Sequence, residues 1–197
     1  MARRKAILAL VVCLVVLLGA FDAHCDPVTK ATATRSGSSP LLPYRDWGAC
    51  PFECCEYREW TVTAATRVLN APAKGAGPAF ELAPRDTVSA LTGVVITRRC
   101  GAARARRSTT VAGAAVALGE SVYVMHDEGE GFWKVWWRGR AENAEVVDPE
   151  NTQDLPEPDL VMIRFPVTDW WVKVKNRKGQ TGWALVHDNF GNMDACE

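Results

Sequence analysis

From Trp60 onward the apolar residues fall in short stretches separated by turn formers, and no helical period persists for three turns. This constrains the chain to an all-β fold, because a strand needs only a few alternating residues whereas a helix needs a sustained 3.6-residue repeat. The predicted strands are Glu59 to Val68, Thr87 to Ile96, Ser121 to His126, Phe132 to Arg138, Leu160 to Phe165, Trp170 to Lys175 and Thr181 to Val186. Between the last two, Asn176-Arg-Lys-Gly179 supplies a hairpin turn, with Gly179 free to take the positive φ that such turns demand.

The N-terminal region predicts the compartment. Arg3, Arg4 and Lys5 precede an apolar run from Ala6 to Ala20, which is short for a membrane span of about 20 residues and reads as a cleaved export signal over residues 1–23. No stable span is then expected after cleavage. Asp22, Ala23 and His24 are the wrong residues to precede an acylated Cys25. Residues 24–43, rich in Thr, Ser, Ala and Pro, read as a flexible leader, and residues 44–59 as a cysteine-rich opening segment.

Charge and cysteine usage agree with export. The chain carries 23 basic and 23 acidic residues, and losing the signal removes three basic ones, leaving 20 against 22 or 23. A near-neutral chain argues against a nucleic-acid partner. Of seven cysteines, Cys13 leaves with the signal, so Cys25, Cys50, Cys54, Cys55, Cys100 and Cys196 remain. An even number in an oxidising compartment predicts disulfides. The run Cys50-Pro-Phe-Glu-Cys54-Cys55 matches neither a Cys-x-x-Cys redox motif nor a paired zinc knuckle. Many pairings are open, and the expectation drawn is that Cys196 staples the tail onto the cluster at 50–55.

Two segments echo one another. Leu118-Gly-Glu-Ser-Val-Tyr-Val-Met125, then Gly131-Phe-Trp-Lys-Val-Trp-Trp-Arg-Gly139, parallels Leu82 to Leu91 followed much later by Trp170-Trp-Val-Lys-Val-Lys-Asn-Arg-Lys-Gly-Gln-Thr-Gly-Trp183. With Val68-Leu-Asn-Ala-Pro72, Thr87-Val-Ser-Ala-Leu91, Trp171-Val-Lys-Val174 and Gly179-Gln-Thr-Gly-Trp183, the arrangement resembles the bacterial SH3 domain. Asp46 to Trp60 also resembles the opening of a group of uncharacterised exported bacterial proteins. The resemblance implies SH3-like β-barrel structure over residues 60–197 and a binding scaffold more than an activity. The first unit lacks its aromatic Lys-Val strand after Ile96 and a spare one stands at Trp170, so a second barrel-like unit at about 98–160 is expected inside the first, with simple succession as the competing arrangement.

Strand alternation selects the candidate site, because successive side chains point to opposite faces. Trp133, Val135 and Trp137 are expected inward, leaving Phe132, Lys134, Trp136 and Arg138 outward; Trp170, Val172 and Val174 are expected inward, leaving Trp171, Lys173 and Lys175 outward. Phe132, Lys134, Trp136, Trp171 and Lys173 are therefore the expected ligand face. Rings that stack on sugars or an extended peptide, beside cations that meet carboxylates, suit peptidoglycan or an envelope protein. The same rings packed beneath another segment are the competing reading.

Other features carry less. Arg98, Arg99, Arg104, Arg106 and Arg107 read as a solvated basic loop, Asp127-Glu-Gly-Glu130 as a hairpin loop, and Asp148 to Pro158 as an exposed linker. No Gly-x-Ser-x-Gly elbow, His-Glu-x-x-His motif or phosphate-binding glycine loop is present, and His187 beside Asp188 lacks a reduced cysteine to serve. No enzyme, cofactor or metal is expected. The alternatives are a structural or protein-interaction role in the envelope, and cysteine-based redox or metal chemistry.

Overall fold

A computed structural model describes residue 25, residues 39–151 and residues 158–196. The expected signal, most of the leader and the middle of the Pro-rich linker lie outside the described residues. Within them the chain is all-β, as its apolar patterning predicts, with one short 3-10 turn at Pro149–Asn151. The strands are β1 (Tyr44–Trp47), β2 (Glu59–Val62), β3 (Thr66–Leu69), β4 (Pro78–Leu82), β5 (Thr87–Arg99), β6 (Gly101–Ala105), β7 (Thr109–Val111), β8 (Ala114–Val116), β9 (Ser121–Gly129), β10 (Phe132–Trp137), β11 (Arg140–Glu145), β12 (Leu160–Arg164), β13 (Val167–Lys175), β14 (Thr181–Leu185) and β15 (Phe190–Gly191).

The first sheet runs β15-β2-β5-β13-β14-β3-β4, with β1 pairing the far half of β5. Its curl follows from one short connection. β2 and β3 are four strand steps apart in the sheet, about 19 Å if it were flat, yet only Thr63, Ala64 and Ala65 join them. Four residue steps reach about 14 Å at most, so the sheet must bend to bring the two together. The expected single strand Glu59 to Val68 is split at this crossing. Inside the curl Trp60, Val62, Val68, Leu82, Val88, Val172, Val174 and Phe190 form the core.

The second sheet runs β11-β10-β9-β6-β12 and is built from residues that fall, in chain order, between β5 and β13. β5 and β13 themselves pair from Ser89↔Lys175 to Arg99↔Val167. The second sheet has its own core of Val122, Val124, Val135, Trp137, Val146, Leu160 and Met162. The expected basic loop is corrected here: Gly101–Ala105 is the strand β6, flanked on both edges, with Ala102, Ala103 and Ala105 buried. Arg98 instead pairs with Asp169, and Arg107 with Asp159. The acidic run is also mostly strand, since Asp127 to Gly129 end β9 and only Glu130 and Gly131 make the turn.

Three disulfides join Cys25 to Cys100, Cys50 to Cys55 and Cys54 to Cys196. The tail is thus stapled to the cysteine cluster, as expected from the sequence, and such bridges form in an oxidising, extracytoplasmic environment. Cys25 and Cys100 are buried with Met125, and Tyr44 and Trp136 pack against them. No helix among the described residues is long and apolar enough to cross a membrane.

Candidate functional site

The outward face of the first sheet is organised in rows. Trp47, Val94, Trp171 and Leu185 are successive register partners across β1, β5, β13 and β14; Thr92, Lys173, Trp183 and Leu69 form the next row, and Ile96 and Asp169 the one before. Alternation therefore assigns Trp171 and Lys173 to the outward side correctly. Exposure does not follow from it. Trp171 is only 2% exposed and packs with Leu69, Val94 and Ile96, while Ala76, Trp183 and Leu185 close over the cluster. The expectation that Trp171 meets ligand is thus corrected: Ala76, on the connection from β3 to β4, packs over it with Trp183 and Leu185 of β14 and buries the ring.

An ion pair holds that cover in place. Lys74, on the connection, reaches Asp169 at 3.0 Å, and Arg98 pairs with the same carboxylate. Burial works against the Asp169 charge, but the hydrogen bonds from Arg98 and Lys74 outweigh it and hold the carboxyl below its usual range.

What remains open on this face is Trp47, 59% exposed, whose ring meets the Trp183 ring edge-on at 5.7 Å. Gly48 sets its position. It takes φ 86°, which a side chain would resist, and its N–H donates to the Gly93 carbonyl at 2.8 Å, so β1 ends with Trp47 held at the sheet's rim. Lys173 is half-buried beside Trp183 in the register. Two indoles and an ammonium at one rim can stack on a ring or peptide plane and pair with a carboxylate.

The three site residues expected on β10 go separate ways. Phe132 is 45% exposed and lines a groove of about 380 Å³ with Arg107, Thr109, Asn143, Glu145 and Asp159. Trp136 is half-buried, its ring edge-on to Tyr44 at 6.3 Å beside the Cys25–Cys100 bridge. Lys134 lies among acids, 3.4 Å from Glu128 and 3.7 Å from Asp46. Both carboxylates also face His126, at 3.5 and 3.0 Å. The contact with His126 pulls the Asp46 carboxyl below its usual range; burial opposes this, and Lys134 adds to it.

The five expected residues thus form no single face. The residues missed were Trp47 and Trp183 at the rim, and Asp46, His126 and Glu128 in the charge cluster. Trp183 was within reach, since the hairpin turn at Gly179 pairs Lys173 with Trp183 and the alternation used for one serves the other. Trp47 and Asp46 sat in a segment with no strand pattern to orient them. In comparisons with known proteins, no family model, no curated protein and no solved structure matches this chain.

Proposed function

We propose that this protein is an exported, non-catalytic binding module that recognises peptidoglycan or an envelope peptide through the rim formed by Trp47, Trp183 and Lys173. The observation that carries the reading is Trp47, a large ring left 59% exposed against Trp183 while Trp171, in the same row, is buried. An indole held outward by a second indole costs little conformational entropy on binding, which is why such rings serve as contact anchors. The scaffold we propose is two SH3-like barrel units, the second nested in the first. Two features support it. β5, β13 and β14 pair in succession as β9, β10 and β11 do, which matches the echo between the two sequence segments. The separate core of the second sheet adds to this.

The test is co-sedimentation of the oxidised protein with purified peptidoglycan sacculi. Wild type should sediment, and Trp47→Ala with Trp183→Ala should abolish this while far-ultraviolet circular dichroism keeps its form. Failure of the wild type to bind, or undiminished binding by the double variant, refutes the reading.

A second reading rests on another observation. Ile163, Phe165 and Val167 are all exposed where β12 leads into β13, and Phe165 meets Trp133 at 6.0 Å. An apolar patch of this kind suits an envelope protein partner with no glycan involved. Cross-linking from position 163 in whole cells would then capture one partner while sacculus binding stays absent.

A further inference from the structure

We infer that Asp46, His126 and Glu128 form a binding site for one divalent transition-metal ion, Zn²⁺ being the best match, joining β1 to β9. The argument starts from the imidazole. His126 is 2% exposed, and its Nδ1 lies 2.9 Å from the Asp127 carbonyl oxygen. A carbonyl can only accept, so Nδ1 carries the proton. In the neutral ring that leaves Nε2 as a lone pair, and it points at two carboxylates that have no proton to give. The contact is attractive only if Nε2 is protonated too or if a cation sits between the three groups.

The geometry fits a cation. A tetrahedral Zn²⁺ with bonds of about 2.0–2.1 Å sets its ligand atoms about 3.3 Å apart. Nε2 stands 3.0 Å from Asp46 Oδ2 and 3.5 Å from Glu128 Oε1, and the three ligand atoms all lie within 4.8 Å of one another. A backbone carbonyl that takes the far N–H of the histidine is the usual outer partner of a metal-binding imidazole, because it fixes the tautomer and the ring plane. One imidazole and two carboxylates suit Zn²⁺ better than a hard ion that prefers oxygen alone.

Lys134 is the resident competitor. Its Nζ lies 3.4 and 3.7 Å from the same two carboxylates, longer than a strong charge-assisted hydrogen bond, and the side chain is 20% exposed. An ion entering the cluster displaces it toward solvent. Removing this lysine should therefore strengthen metal binding, whereas in a purely structural ion-pair network its removal creates no site.

The experiment is calorimetric titration of the oxidised, thiol-free protein, stripped with chelator, using Zn²⁺ alone, with Co²⁺ absorption to report tetrahedral geometry. We expect one equivalent bound, at least a tenfold weaker affinity in Asp46→Asn and Glu128→Gln, and a severalfold tighter one in Lys134→Gln. Both acid variants keep the shape of the side chain they replace, and circular dichroism checks that they fold. Absence of saturable uptake by the wild type overturns the proposal. So does uptake that is undiminished in the Asp46→Asn, Glu128→Gln double variant, since the ion would then sit elsewhere. Sacculus binding is read separately, so this site and the aromatic rim stand or fall apart.

Discussion

The two aromatic-led strands, β10 and β13, look alike in sequence and end in different surroundings. Each offers a tryptophan pair, Trp136–Trp137 and Trp170–Trp171, with lysine at alternate positions. In β13 the outward ring, Trp171, is covered completely by the β3–β4 connection and the neighbouring side chains of β14. In β10 the outward ring, Trp136, is covered only in part, by Tyr44 and the Cys25–Cys100 bridge, and the next outward positions hold an ion cluster and an open phenyl ring. Alternation tells which side of a sheet a residue takes. It says nothing about what the rest of the chain lays over that side.

The largest effect that would break this comparison is at Trp171. Trp171→Ala should cost about 3–5 kcal/mol in urea unfolding; a cost as small as that of an exposed ring would mean the cover is not packed. Next, replacing Cys25 and Cys100 together by serine should cost about 2–4 kcal/mol and shift Trp136 fluorescence toward that of a wetter ring. A bridge whose loss changes neither quantity would leave β10 without its cover.

A smaller effect concerns the clamp on the β13 side. Asp169 is held below its usual range despite burial, by Arg98 and Lys74. A carboxyl whose folded pKa is depressed adds stability that is present above its unfolded value, about 4, and is lost as pH falls through the folded one. Stability should thus decline below about pH 4, and the decline should be shallower in Asp169→Asn. At neutral pH the same change should cost about 1–2 kcal/mol, kept modest because Lys74 and Arg98 both stand partly in solvent. Equal acid sensitivity in variant and wild type would remove Asp169 from the account. The smallest effects belong to Trp47→Ala and Phe132→Ala, each expected to move stability by about 0.5 kcal/mol or less while, at Trp47, sacculus binding is lost.

How much was legible follows from the same physics. The strands with strong β formers, such as Thr87 to Ile96 and Thr181 to Val186, stand close to where they were expected, and the turn at Gly179 takes φ 81°. β6 was not legible. Gly101-Ala-Ala-Arg-Ala has little strand propensity, and it is a strand because small side chains fit the crowded middle of the second sheet, between β9 and β12. β1 is four residues long and owes its place to pairing with β5, a contact across some fifty positions that no local pattern announces. His126 was placed on a strand, but its partners come from β1 and from the acidic run assigned to a loop, so the cluster existed only after folding. The cysteine count pointed to bridges and the tail staple was anticipated, whereas the partner of Cys25 was left open.

The pairing of Arg99 with Val167 has one more consequence. The chain departs from β5 and re-enters at β13 at neighbouring points, so everything it does in between is a detour with adjacent ends. Such an excursion can be lengthened or trimmed without pulling its host strands apart.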